Sequence, residues 1–242
     1  MDIHKPKPIR NWREFLKEYA IIVIGVLTAL AGEQAVEKLR ERSRAAEARA
    51  SVHAEIARNL GLMERRERSE ACMKKRLDEI AGLVAASAAG QKLPDTIWLG
   101  NPSAFIMQDG KYKSALSSGN ASLFNEQEQA AYADLYASFA SYWQTAVEEQ
   151  KTWASLRVLE SHPAPSPALD WQLRNALQQA RFARYFIELG RRVSLMDGRA
   201  IGVKPGETPN RRPTVCFPLS TARDEVQNLL PANNVVGAIY QP

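Results

Sequence analysis

The side chains able to do chemistry are few and scattered. The 242-residue chain holds three histidines, His4, His53 and His162, and two cysteines, Cys72 and Cys216. No HExxH, CxxC or other metal-ligand spacing joins them, so no zinc pattern exists. The phosphate-cradling GxGxxG and GxxxxGK loops and the GxSxG nucleophile turn are absent too. A carboxylate pair such as Asp134 and Glu148 would serve acid–base hydrolysis of envelope material only if the fold brought the two together. The expectation is a non-enzymatic protein with no metal and no cofactor. Cys72 and Cys216 admit two readings, a disulfide in an exported domain or two partly buried thiols.

The elements that would position any such groups are organised around one stretch. Ala20 to Gly32 is thirteen residues without a charge. Thirteen helical residues rise about 20 Å against a hydrocarbon core of roughly 30 Å. Extended from Phe15 to Val36, the helix reaches about 33 Å, with Lys17, Glu18, Glu33 and Gln34 in its outer turns. Tyr19 can sit at headgroup level, and Lys17 can snorkel. Ile21, Ile22, Val23, Ile24, Val26, Leu27 and Leu30 contribute about −0.3 to −0.6 kcal/mol each, roughly −3 kcal/mol towards insertion. Two other readings compete. A run this short also suits a buried core helix, and Ala29-Leu30-Ala31 after a basic leader resembles a signal-peptide cleavage site. Apolar residues on every face of Ile21 to Leu27 favour lipid over a single packed face. Glu14 and Glu18 do not suit a signal leader. The expectation is a single-pass span over residues 12–36, with a lipid bilayer as first partner.

Charge says little about nucleic acid. The net charge of +5 comes from Lys and Arg interleaved with Glu, which reads as solvated helix faces, and no nucleic-acid partner is expected. The tail 1–11 and its boundary carry Lys5, Lys7, Arg10, Arg13 and Lys17, and Lys38, Arg40, Arg42, Arg44 and Arg49 follow the span, so the positive-inside count ties. A short basic tail tends to stay inside, whereas long domains translocate largely regardless of charge. That places residues 1–11 in the cytoplasm and the large domain across the inner (cytoplasmic) membrane, in the periplasm of a Gram-negative cell.

The rest of the chain reads as all-α: a long helix continuing from the span, an antiparallel helical bundle over residues 37–198, and a Pro-rich tail over 199–242. Asn11 with Glu14 forms a capping-box pattern before Trp12. Beyond Gly32 no proline occurs until Pro94. Val36, Leu39, Ser43, Ala46, Ala50, His53, Ala57 and Leu60 step by three and four and define a seam for a partner helix. Self-association or a membrane-protein partner is expected along it, with Val36, Leu39, Ala46, Ala50 and Leu60 as its contacts. His53 on that seam reads as a satisfied interface residue. Asn59-Leu60-Gly61 is the expected kink or break, because Gly costs about 1 kcal/mol in a helix interior. A second helix spans roughly 63–88, with Met63, Met73, Leu77, Ile80 and Val84 apolar.

Residues 89–119 are loop-rich, with a short helix at about 112–118 and Trp98, Phe105 and Ile106 tucked against the bundle. Asn125 caps a third long helix bearing Tyr132, Leu135, Tyr136, Phe139, Tyr142, Trp143, Ala146, Trp153 and Leu156 at core spacing. Trp98, Tyr132, Tyr136 and Trp143 are the candidates for an aromatic ligand cleft, the alternative to a packed core. Prolines 163, 165 and 167 end that helix. A fourth runs from Ala168 to Met196 with Leu169, Leu173, Leu177, Ala180, Phe186, Ile187, Val193 and Met196 as its stripe, stopped by Asp197-Gly198. The tail is expected to drape on the bundle, with a short helix from Ser220 or Thr221 to Leu230.

Two of these features resemble a family of bacterial membrane proteins of the domain-of-unknown-function kind. One is Glu18-Tyr19-Ala20 running through Leu30-Ala31-Gly32-Glu33-Gln34; the other is Ala115-Leu116-Ser117-Ser118-Gly119-Asn120 ahead of the Tyr-bearing helix from Glu126 to Tyr136. The resemblance implies a short N-terminal transmembrane helix joined to a helical domain, and supplies no catalytic residue.

Overall fold

The computed structural model describes residues 12–209 and 212–222. The Asn11 cap, the tail before Trp12 and most of the expected helix after Ser220 lie outside the described residues. Five α-helices are present, α1 (Trp12–Glu67), α2 (Glu70–Ala88), α3 (Gly110–Ser117), α4 (Glu126–Leu156) and α5 (Pro167–Ala200), and no strand occurs among the described residues.

α1 is one uninterrupted helix of 56 residues, about 84 Å long at 1.5 Å per residue. Up to Arg44 its described side chains are exposed or, at Val23, half-buried; burial begins at Ala45 and continues through Val52, Ile56, Leu60 and Met63. The expected break at Gly61 does not occur. A Cβ on Gly61 would collide with the carbonyl oxygen of Gly206, so this glycine admits another stretch of backbone against the helix. The true interruption comes at Arg68-Ser69, where the Ser69 hydroxyl donates back to the Arg66 carbonyl at 2.6 Å. The second helix accordingly starts at Glu70 and leaves Met63 on α1.

α2 does not fold back on α1. It continues onward and packs against α5, so the antiparallel arrangement belongs to α5. Going down α5, Arg191 meets Glu67 at 2.8 Å, Arg184 meets Glu70, and Arg181 meets Asp78 at 3.6 Å. Partners thus ascend α1 and α2 as α5 descends. α4 runs with α1, since Glu128 meets Arg49 and Glu149 meets Arg66. Two core clusters result. One joins Val52, Ile56, Leu60 and Met63 to Tyr132, Leu135, Phe139 and Ile187. The other joins Met73, Leu77, Ile80 and Val84 to Trp153, Leu156, Leu173 and Leu177.

The caps explain where α4 and α5 begin and end. Asn125 accepts from the Glu128 amide at 2.8 Å, and the Glu128 carboxylate accepts from the Asn125 amide at 3.2 Å, a complete capping box. Ser166 accepts from the Leu169 amide, with Pro167 at the first helical position. α5 passes through the expected stop. Gly198 is helical, and a Cβ there would lie 2.5 Å from Leu60 Cδ1. The stop is Gly202, at φ 77°, where Val203 N donates to Gly198 O and Gly202 N to Arg199 O, the paired bonds of a Schellman motif.

The tail is a strap. Gly206 N donates to Ala57 O at 2.7 Å, Thr214 Oγ1 bonds Asn101 O at 3.0 Å, and Cys216 is joined to Cys72 by a disulfide spanning 144 residues. The same strap supplies Val215 to the second core.

Candidate functional site

Three polar clusters tie α1 to α3 and α4; Arg76 and Arg191 are buried as well, Arg76 donating to the carbonyls of Trp98 and Leu99 and Arg191 pairing with Glu67 and Glu188. Arg66 and Glu149 are both buried; the guanidinium reaches the two carboxylate oxygens at 2.7 and 2.6 Å and also donates to Ser103 O. The pair ties the end of α1 to α4 and to the 89–109 connection. Tyr142 lies close by, and burial pushes its phenol up to about 12, so it stays a neutral hydroxyl.

The second cluster centres on Glu55. Its carboxylate accepts from the amides of Lys111 at 2.8 Å and Tyr112 at 3.2 Å and from the Tyr136 hydroxyl at 2.6 Å. A side chain of α1 therefore caps the first turn of α3, where orphan amides and the helix dipole favour a negative charge. Burial, followed by the bond to Glu55, raises the Tyr136 phenol far above its ordinary value. The third cluster sits nearer the surface. Arg49 forms a two-pronged pair with Glu128 at 2.7 and 2.9 Å, and His53 Nε2 lies 2.7 Å from the Tyr132 hydroxyl. Burial, with Arg49 second, lowers the His53 value, which keeps the ring neutral. Hydrogen bonding from Arg49 holds the Glu128 carboxyl below its ordinary range.

These groups join helices; none opens onto a cavity with an acid and a base. Asp134 and Glu148 are both exposed on α4, about 21 Å apart along the axis at fourteen residues' rise. They form no dyad. Among the described residues no three His, Cys, Asp or Glu side chains gather where they could hold a metal ion.

The four cleft candidates do not share a cleft. Tyr132 and Tyr136 belong to the first core and Trp143 packs against it, with Tyr136 stacked on Tyr112 at 4.4 Å. Trp98 stands instead at the strap, 6.3 Å from Phe217, because its amide is held by Leu219 O. An open groove of about 1020 Å³ does run between α4 and α5, lined by Gln144, Thr145, Glu148, Gln178, Phe182 and Phe186, and includes none of the four. Of the 89–119 aromatics and aliphatics, Phe105 is half-buried under the Arg65 guanidinium at 4.8 Å, whereas Ile106 is exposed.

The seam residues divide. Val36, Leu39, Ala46 and Ala50 are exposed, but Leu60 is fully buried in the chain's own core and leaves the seam. The α5 stripe also needs correction: Phe186, Val193 and Met196 face outward, on the side opposite Leu173, Leu177, Ala180 and Ile187. Phe182, Tyr185 and Leu189 join them there. An excess of apolar positions over what one helix face can bury was the available signal.

The remaining feature with a function written into it is the first half of α1. Ile21, Ile22, Ile24, Val26, Leu27 and Leu30 are 49–71% exposed, and none of the apolar window is buried. Among the described residues, therefore, nothing covers this stretch as the core-helix reading requires. The helix is long and apolar enough to cross a membrane. Trp12, Phe15 and Tyr19 stack at one end, at 5.6 and 6.2 Å between ring centres. At the other end twelve residues, Glu33 to Arg44, make a charged neck of about 18 Å in which Glu37 pairs with Arg40 and Arg44. No family model, no curated protein and no solved structure matches the chain.

Proposed function

We propose that the chain is a single-pass protein of the inner membrane that holds a helical bundle above the lipid on the periplasmic side and acts by binding other proteins, without catalysis. One observation carries the reading: an apolar helix, bare on all sides, continues without a break into a packed domain. Bare apolar surface costs about 25 cal/mol per Å² in water, which lipid removes. The stacked aromatics suit a headgroup belt at one end, and the charged neck suits water at the other. The Cys72–Cys216 bond is at home in an oxidising compartment, which favours export of the bundle. The likeness to short-anchor bacterial membrane proteins points the same way. The exposed Val36, Leu39, Ala46 and Ala50 suit close approach by a partner helix, including another copy.

The test is fractionation with topology mapping. The full-length chain should stay in the membrane pellet through carbonate washing, and an alkaline phosphatase fusion after residue 60 should be active. A chain recovered from the supernatant without detergent would remove the anchor; an inactive phosphatase with a fluorescent cytoplasmic fusion at the same point would reverse the orientation.

A further inference from the structure

α5 has a second apolar stripe on its outer face. Phe182, Phe186, Leu189, Val193 and Met196 are exposed, and their spacing is four, three, four, three. That is the d-a-d-a-d order of a coiled-coil seam over two heptads. We propose that this stripe packs, parallel and in register, against the same stripe of a second copy in the same membrane. The proposal rests on the anchor reading above.

Orientation selects the occupant. α5 runs antiparallel to an uninterrupted α1, so in an anchored chain the stripe stands along the bilayer normal. Lipid could cover it only if α1 were broken. Two copies anchored alike stand the same way up, and a two-fold axis along the normal sets their α5 helices parallel. Charge agrees with that arrangement. In a parallel pair each g position meets the e position of the partner's next heptad; here these are Arg192 of one copy, which also pairs with Glu188 of its own chain at 2.7 Å, and Asp197 of the other. The neighbouring Arg181 and Arg184 are already paired with Asp78 and Glu70 of their own chain, which limits repulsion between copies. Val193 at a with Leu189 at d is the pattern that favours two strands.

Size is the remaining question. Five half-exposed side chains burying roughly 100 Å² each give about 1,000 Å² over both copies, the lower end for a specific interface. Two heptads would not hold free peptides together. α5, however, is already helical, and confinement to one membrane raises the effective concentration of the second copy. The groove beside Phe182 and Phe186 leaves room for the partner's side chains.

The experiment uses the full-length chain in its native membrane, with benzoylphenylalanine in place of Leu189. Irradiation should give an adduct at twice the 27.0 kDa chain mass. Adding Phe182→Glu and Met196→Glu, both at exposed positions, should lower its yield about tenfold or more, with the membrane fraction and the helical circular dichroism unchanged. Ala46→Glu with Ala50→Glu should leave the adduct in place. A photoadduct to lipid, to another protein or to the chain's own residues beyond 222, no adduct at all, or one that survives the two α5 changes would overturn the pairing and leave the anchor standing. Loss of the adduct with the Ala46 and Ala50 changes would move the contact to the neck and overturn it too. Recovery of the chain in the carbonate supernatant would overturn both.

Discussion

The two halves of α1 differ in how they are buried along one continuous helix. Among the described side chains from Trp12 to Arg44 none is buried, and the apolar ones crowd all faces. From Ala45 to Glu67 one face is buried, and it alternates Val52, Ile56, Leu60 and Met63 with Glu55, Asn59 and Arg66. Among the described residues the apolar half thus meets only neighbours along its own helix, whereas the packed half uses even its charged residues as contacts with other elements. Hydrophobicity alone does not separate them; what separates them is whether the polar residues on the same face have somewhere to go. Arg66 has Glu149, Glu55 has the α3 amides, and Asn59 has the backbone of Gln108 on both sides, at 2.7 and 2.9 Å.

If the halves are independent, a change should move insertion or folding, not both. The largest effect is expected from Ile24→Arg with Leu27→Arg. Each guanidinium at a span centre costs about 2.5–3.5 kcal/mol, which together exceeds the roughly −3 kcal/mol gained by the apolar side chains. The chain should shift to the soluble fraction while the bundle's melting midpoint holds. Arg66→Ala comes next: stranding Glu149 without its partner should cost about 3–5 kcal/mol by urea unfolding and leave the membrane fraction unchanged. An unaffected urea midpoint would mean that the buried pair is not formed. Cys72→Ser, or dithiothreitol on the unaltered chain, should lower stability by about 2–5 kcal/mol, again with no change in fractionation.

Smaller changes sharpen the boundary. Gly61→Ala should displace the strap at Gly206 at a cost of about 1–3 kcal/mol, read as faster hydrogen exchange at the Gly206 amide; unchanged protection would show that the strap does not rest on that glycine. The smallest effect belongs to Arg49 and Glu128, a half-buried pair near the surface, expected close to the range of about 0.2–1 kcal/mol for solvent-accessible pairs. Glu128 is depressed in the folded state below its reference of 4.5, so folding binds fewer protons there. Its contribution is present above pH 4.5 and fades as the pH falls through the lower folded value. Arg49→Gln should flatten that acid limb in a pH series of melting curves.

Much of the helical skeleton could be read from residue types. The long exposed apolar helix, the Asn125 capping box and the α4 core stripe each follow from local rules: charge-free length, cap chemistry and 3.6-residue spacing. The misreadings share one cause. Gly61 and Gly198 look like helix breakers because the backbone that presses on one, and the Leu60 side chain that presses on the other, come from elsewhere in the chain. Leu60 likewise follows the seam spacing but drops into a core built from α4 and α5. Phe186, Val193 and Met196 fall in with Leu173 and Ile187 when apolar residues are counted without phase. Arg66 and Glu149, 83 residues apart, carry no local mark at all, since either alone reads as a surface charge.

The sulfur link has a mechanical side. Cys216 is fastened to Cys72, two residues into α2, close to where α1 ends. Tension applied to the chain beyond residue 216 would run through that bond into α1 and bypass the covalent path through residues 73 to 215. The α4–α5 hairpin would therefore bear little of a pull between the strap beyond Cys216 and the start of α1, and its packing would stay intact under load.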